Sequence, residues 1–200
     1  DFFEFTGKHI IISEIEHSAV KEVCAAMKKR GWAVTRLPVY ENGIVRVEDV
    51  KAAIRPETVL ISVMTANNEV GTIQPVAEIG AFVMEARARG SRIWFHTDAV
   101  QAVGKIPVDV QEINCDLLSV SAHKLHAPKG AGALYVRRGV RLATQNIGGH
   151  QERERRGGTE SVANIVAFGE ASRIAWNNLA GNYRHLKNLR DRFESAVKAA

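Results

Sequence analysis

Short apolar runs and helix-period patterns alternate along most of the 200-residue chain. Runs of Ile, Val and Leu without polar alternation are typical of strands that are covered on both faces of a parallel sheet. Such runs predict six strands, at 9–13, 33–39, 59–64, 93–96, 117–120 and 133–136. Apolar residues at helical spacing predict helices between them, from Val20 to a stop at Gly31, and at 47–54 and 76–89. This alternation predicts an α/β fold, with a mostly parallel sheet flanked by helices.

The last forty residues have a different pattern, which predicts two long helices at 161–178 and 182–200. The second carries an apolar stripe at helical spacing, which we expect to pack in a core: Tyr183, Leu186, Leu189, Phe193 and Val197. We therefore expect a large domain over 1–178, and a helix at 179–200 that leads towards a smaller C-terminal domain. The opening residues 1–5 resemble the interior of a longer gene product, so we expect the large domain to be truncated at both ends.

Composition and charge exclude several classes of protein. Hydrophobic residues make up 46% and charged residues 24%, which excludes a disordered chain. The net charge is +5, but the basic residues are scattered, so we expect no nucleic-acid partner. The sequence has no apolar run of transmembrane length and no signal peptide, and we expect no membrane association. Two cysteines in apolar stretches, Cys24 and Cys115, exclude a disulfide scaffold and favour a reducing, cytoplasmic setting.

Polar side chains follow four of the predicted strands directly. In open parallel sheets, ligands bind beyond the carboxyl ends of the strands. The polar residues at these ends are His17 after the first strand, Asn68 after the third, Asp98 and Gln101 after the fourth, and Ser121, His123 and Lys124 after the fifth. Four polar strand ends in one sheet predict a binding site at that edge.

The side chains at these strand ends match the needs of pyridoxal phosphate (PLP). Lys124 can form a Schiff base with an aldehyde, Asp98 can hold a pyridinium nitrogen protonated, and His17 can lie flat on the ring. Hydrogen bonds to a phenolic oxygen and a phosphate can come from two amides and a hydroxyl, Asn68, Gln101 and Ser121. The histidines show no metal-ligand spacing, so we expect no metal.

Each of these residues also has a purely structural alternative. Lys124 alone would be a surface lysine, and Asp98 could be the N-cap of a helix. His17 could be a solvated histidine in the first turn of a helix. The charge on Arg153 and Arg155 could be simply solvated.

Five motifs make the sequence resemble the cysteine desulfurases, the NifS-type branch of the class V, fold-type I PLP enzymes. Four of them lie at the strand ends and the fifth, Arg-Gly-Gly-Thr, resembles the Arg-small-Gly-Thr motif of the family: 16–17, 66–71, 96–101, 119–124 and 156–159. Selenocysteine lyases are close relatives of this family. The resemblance covers nearly the whole chain and implies the PLP-binding large domain of a fold-type I enzyme.

The resemblance implies a role for each site residue at the cofactor ring. Lys124 would carry the covalent link to PLP, and His17 would stack on the ring and help to move protons. Asp98 would pair with the ring nitrogen, while Asn68 and Gln101 would lie near the phenolic oxygen.

The resemblance also implies a phosphate site and a dimer. Ser121 and His123 would bind the phosphate. Thr159 would reach the cofactor of the partner subunit, so that a homodimer would complete the site. The alternative for Thr159, shared with Glu160, is to cap the helix that starts near Ser161.

The activity implied by the resemblance is removal of sulfur from L-cysteine, giving alanine and an enzyme persulfide that passes sulfur to an acceptor protein for iron–sulfur cluster or thio-cofactor supply. The family's nucleophilic cysteine lies beyond the last helices, and its Gly-Thr phosphate loop lies before Glu16. Because Cys24 and Cys115 are predicted to be buried, we expect residues 1–200 alone to be inactive. Two alternatives remain open, a selenocysteine lyase and a non-catalytic chain that binds a partner or pairs with a full-length subunit.

Overall fold

A six-stranded sheet forms the centre of the protein in a computed structural model, which describes residues 7–200. Its strands are β1 (His9–Ser13), β2 (Ala33–Leu37), β3 (Thr58–Ser62), β4 (Trp94–Asp98), β5 (Leu117–Ser121) and β6 (Gly132–Val136). The spatial order is β2-β1-β3-β4-β5-β6; β1 to β5 pair in parallel and β6 pairs antiparallel to β5. This confirms the predicted α/β fold with a mostly parallel sheet. The prediction made for residues 1–5 lies outside the described residues.

The helices of the described chain are α1 (Ser18–Lys29), α2 (Val47–Ala53), α3 (Val76–Ala88), α4 (Val110–Ile113), α5 (Gln151–Glu154) and α6 (Val162–Ala199), with a 3-10 turn at Ala122–Leu125. The first three helices lie at the predicted positions, with ends that differ by one or two residues, while two short helices, α4 and α5, were not predicted. The prediction of two C-terminal helices is wrong, because α6 is one continuous helix of 38 residues that includes Gly181. A single helical glycine costs only about 1 kcal/mol, so it need not end a helix.

The apolar stripe on the second half of α6 does not pack in the core of the described chain. Its five side chains are each between 45% and 70% exposed, so residues 7–200 do not themselves supply the predicted core packing. Within the described protein, α6 contacts the 3-10 turn and lines cavities with the segment at 104–107. None of the described helices, α6 included, combines the length and apolarity that crossing a bilayer requires.

Apolar clusters cover both faces of the sheet. On one face, Ile11, Ile61 and Phe95 pack in a large cluster with residues of α2, α3 and α4. On the other face, Ile10 and Ile12 pack against α1 through Cys24. Both cysteines are buried and unpaired, as expected from the sequence, and burial raises the pKa of each thiol.

Two buried imidazoles bridge neighbouring strands. His9 of β1 hydrogen-bonds through Nδ1 to Thr58 Oγ1 at 2.7 Å and through Nε2 to Thr35 Oγ1 at 2.9 Å. His96 of β4 reaches Ser62 Oγ of β3 at 2.7 Å and Ser119 Oγ of β5 at 2.9 Å. Each ring therefore joins three strands.

Acid should destabilise the protein through His96. Burial lowers the pKa of His96 from 6.5 to about 4, so the unfolded state binds a proton first as the pH falls from 6.5. The free energy of unfolding should fall across the window from pH 6.5 to 4, and His96→Asn should remove that part of the pH dependence, measured by urea denaturation. His126→Asn is the control, because His126 is exposed and its positive φ suits Asn. Equal pH dependence in wild type and His96→Asn would contradict the assignment.

Asp116 is the buried anion that ties α3 to the sheet. It is 0% exposed, accepts a hydrogen bond from Phe95 N at 2.7 Å, and is held by both terminal nitrogens of Arg87, with Nη1 at 3.0 Å from Oδ1. Arg87 also donates to Ile93 O from Nε and Nη2. Removing Asp116 therefore leaves the partly buried guanidinium of Arg87 without its anion.

We expect Asp116→Ala to lower the free energy of unfolding by about 3–5 kcal/mol, because it breaks a buried pair by removing one partner. Urea denaturation measures the change. Glu112→Ala, which removes an exposed carboxylate from nearby α4, serves as the control. A loss below about 1 kcal/mol, the size typical of a surface ion pair, would show that the Arg87 pair does not stabilise the fold.

Candidate functional site

Seven of the eight predicted site residues follow the carboxyl ends of four adjacent parallel strands. In sheet order these strands are β1, β3, β4 and β5. His17 follows β1, Asn68 follows β3, Asp98 ends β4 with Gln101 three residues later, and Ser121 ends β5 before His123 and Lys124. The topology thus places these residues along one edge of the sheet.

His17 is the N-cap of α1. Its Nδ1 accepts a hydrogen bond from Ala19 N at 3.1 Å, and its side chain is exposed. Because Nδ1 accepts, the neutral ring carries its proton on Nε2. His17 therefore presents Nε2–H to solvent at the sheet edge, and its stacking on a cofactor ring stays a prediction.

The loop after β3 is fixed by Asn67, a residue to which the sequence analysis assigned no role. Asn67 Oδ1 accepts from Glu69 N and Val70 N, both at 2.8 Å, and its Nδ2 donates to Ile15 O at 2.9 Å. These bonds tie the loop to the segment after β1, and Asn68 stands exposed beside the buried Asn67. The sequence feature that could have pointed to Asn67 is its place beside Asn68 in the motif at 66–71.

Asp98 is a nearly buried carboxylate with one oxygen free. It is 8% exposed, and its Oδ1 accepts from Val100 N at 2.9 Å. No hydrogen bond to Oδ2 occurs within residues 7–200. Asp98 therefore caps a local turn, and because no regular helix starts there, the alternative that it is the N-cap of a helix is wrong. The free Oδ2 can still accept a hydrogen bond from an N–H group of a ligand.

Gln101 is held by a lysine that the sequence analysis did not assign. Lys105 Nζ donates to Gln101 Oε1 at 3.3 Å. Burial lowers the pKa of Lys105, and the nearby charge of Lys124 lowers it further. Lys105 and Lys124 also line the same cavity, so Lys105 joins Gln101 to the surroundings of Lys124.

The end of β5 pairs a hydroxyl with an imidazole. Ser121 Oγ lies 2.8 Å from His123 Nδ1. His123 and Lys124 both lie on the 3-10 turn, are exposed, and are followed by His126 in the left-handed region at φ 64°. The turn thus presents a hydroxyl, an imidazole and an amine together, donors that suit a phosphate and an aldehyde.

Thr159 stands apart from the other seven residues. It is exposed in the loop before α6 and hydrogen-bonds to none of them in the described chain. Ser161 is the N-cap of α6 and has no side-chain cap, so the alternative that Thr159 or Glu160 caps this helix is wrong. Its predicted contact with a partner subunit stays a prediction.

Glu16 is the residue at this edge whose importance the sequence analysis missed. It is 1% exposed, and its Oε1 accepts from Ser13 Oγ at 2.5 Å and from Met64 N at 2.8 Å. Its Oε2 is buried and has no hydrogen-bond partner among the described residues. Burial raises the pKa of Glu16 to about 7, and the charge of Asp98 adds to the increase. The sequence feature that could have indicated this role is the position of Glu16, a carboxylate three residues after the end of the buried strand β1.

The donor set at the edge fits PLP. A carboxylate with a free oxygen suits the ring nitrogen, an amine suits the aldehyde, and the Ser121–His123 pair suits the phosphate. The nearly buried Asp98 carboxylate has no cationic partner in the described chain, and a pyridinium would supply one.

The chain matches the aminotransferase class-V family over residues 5–198. It is 50% identical over 186 residues to cysteine desulfurase IscS of Methanosarcina thermophila, covering 93% of this chain and 45% of that protein.

Two solved structures are similar in fold and sequence. A NifS-like protein superposes with a TM-score of 0.93 at 38% identity, covering 98% of this chain and 53% of that one. A structure of SspA in complex with cysteine superposes with a TM-score of 0.79 at 41% identity, covering 84% of this chain and 48% of that one.

The chain belongs to the class V aminotransferase family. The similar proteins reported above are named cysteine desulfurase IscS, NifS-like protein and SspA. It spans about half the length of the curated relatives that it matches.

Proposed function

We propose that this chain forms the PLP-binding core of a cysteine desulfurase, which removes sulfur from L-cysteine and leaves alanine. The observation that carries the proposal is the row of strand ends, with a nearly buried Asp98, the Ser121–His123 pair and Lys124 at one edge. Similarity to proteins named cysteine desulfurase, and to a structure of SspA in complex with cysteine, supports the reaction and the substrate.

PLP, when bound, supplies an electron sink for bonds at the α-carbon of an amino acid. Lys124 would hold the cofactor through Nζ, and the same amine would carry protons to and from the substrate. Asp98 keeps the ring nitrogen protonated through its free Oδ2. His17 would stack on the ring, and Nε2 would be the atom that moves a proton there, because Nδ1 already accepts a hydrogen bond from Ala19 N.

The remaining site residues position the cofactor. Ser121 and His123 hold the phosphate, and Asn68 and Gln101 bind near the phenolic oxygen, with Lys105 restraining the Gln101 amide. Thr159 reaches the cofactor of a second subunit in a homodimer; its exposure and its lack of a capping role are compatible with such a contact.

Sulfur passes to an acceptor protein through a cysteine other than Cys24 and Cys115, since both of these are buried with raised thiol pKa values. The division of the chain into a large domain over 1–178 and a helix leading to a second domain belongs to the same proposal. So does a cytoplasmic location, which two unpaired cysteines favour.

The test is an assay of the full gene product, purified with PLP. L-cysteine should yield alanine and, with a thiol reductant, sulfide in equal amounts. A rate that is much higher with L-selenocysteine, and negligible with L-cysteine, would instead indicate a selenocysteine lyase. Binding of PLP without turnover of either amino acid would contradict both activities and favour a non-catalytic role.

A further inference from the structure

The Glu16 cluster is built around one oxygen. Ser13 Oγ and Met64 N both donate to Glu16 Oε1, so this oxygen joins the segments that follow β1 and β3. The other oxygen, Oε2, is buried without a partner. A buried carboxylate oxygen without a donor is costly when charged, and a proton on Oε2 removes that cost.

We propose that Glu16 is a positioning residue for the cofactor site, one that aligns the ends of β1 and β3 through Oε1 and carries on Oε2 a proton whose release places a second negative charge beside Asp98. The inference deepens the proposed function and rests on it. Glu16 thereby controls the negative charge at the strand ends where the cofactor ring is proposed to bind.

The charges around Glu16 set the direction of the effect. In the described part of the chain, two titratable groups interact electrostatically with Glu16: Asp98, at the end of β4, and Cys24, on α1. Burial and Asp98 raise the pKa of Glu16 to about 7, while Ser13 and the Met64 amide oppose the increase. Cys24 stays uncharged near neutral pH, because burial raises the pKa of its thiol above 9.0.

Release of the proton changes what the site stabilises. Above about pH 7, Glu16 adds a negative charge that acts on the same region as the Asp98 carboxylate. Both then favour the protonated forms of nearby groups, including the ring nitrogen and the lysine nitrogen that bonds to the cofactor. Removing the Glu16 charge should therefore make these groups lose their protons at lower pH.

The cofactor-free protein tests the proton on Glu16 directly. With glutamate labelled at the side-chain carboxyl carbon, NMR should show one glutamate that titrates near pH 7, and this signal should be missing from Glu16→Gln. It should remain in Glu14→Gln, a matched change at an exposed glutamate on the same segment that pairs with Arg36. Absence of a carboxyl that titrates near neutral pH would overturn the inference.

Ser13→Ala provides a second variant that keeps the carboxyl. Because the Ser13 hydrogen bond favours the charged form, its loss should move the Glu16 titration to higher pH. Even if Glu16→Gln fails to fold, an unchanged or lower midpoint in Ser13→Ala would overturn the inference.

The loaded protein tests the link to the cofactor without an activity assay. The visible absorption of lysine-bound PLP changes when the linking nitrogen loses its proton, and the midpoint of this change should fall by about 1 pH unit in Glu16→Gln and not in Glu14→Gln. Wild-type protein that binds PLP with a midpoint unaffected by Glu16→Gln overturns this inference alone. Wild-type protein that binds no PLP overturns the proposed function, and with it any role of Glu16 towards the cofactor.

Discussion

Asp98→Asn should lower turnover of L-cysteine by about 100-fold or more, while part of the PLP binding remains. The free Oδ2 of Asp98 is the atom that can hold the ring nitrogen protonated, and an amide cannot supply the same negative charge. A ring that is not held protonated is a weaker electron sink. Steady-state alanine production and a PLP titration measure the two effects separately.

Asp109→Asn is the matched control for Asp98→Asn. Asp109 Oδ1 accepts from Gln111 N at 2.7 Å, the same local bond that Asp98 makes to Val100 N, but it caps the exposed start of α4. If both variants keep near-normal turnover, Asp98 is only the cap of a turn.

Lys124→Ala should lower turnover by about 10⁴-fold, the upper end of what a positioned acid–base group contributes, because the same amine both holds the cofactor and moves protons. Borohydride reduction of the wild-type protein with PLP, followed by peptide mapping, should place the pyridoxyl mass on Lys124. Lys105→Ala and Lys129→Ala should keep that label. A label on Lys105, whose pKa is lowered by burial, or on Lys129 would contradict the assignment.

The strands were predictable because runs such as Ile10–Ile12 leave few alternatives to a strand buried on both faces. The sequence did not predict that β6 reverses direction, since Gly132–Val136 has no feature that distinguishes an antiparallel edge strand. The sequence pattern also predicted two helices that separate near Gly181, because helix propensity is a local property and does not include the stability of the long helix on both sides of the glycine.

The site was predictable as a set of strand ends, because topology alone brings those ends to one edge. Its finer structure was not predictable, because it depends on contacts between distant residues. Glu16 accepts a hydrogen bond from the backbone of Met64, 48 positions later, and Asn67 donates to the backbone of Ile15. A periodicity argument carries no information about such contacts.

The hydrogen bonds of His9 and His96 favour one register of the strands, whereas the apolar runs alone would pack almost equally well in more than one register. A run such as Ile10–Ile12 buries similar surface if its strand slides by two residues, but a slide of β4 against β3 would place His96 opposite Leu60 instead of Ser62. The ring would lose its hydroxyl partner, at about 1–3 kcal/mol per buried polar group. Such a slide would also move Asp98 by about 7 Å relative to the end of β3. An error in strand pairing that costs little hydrophobic burial would therefore displace the side chains at the strand ends, and the hydrogen bonds of the imidazoles disfavour such an error.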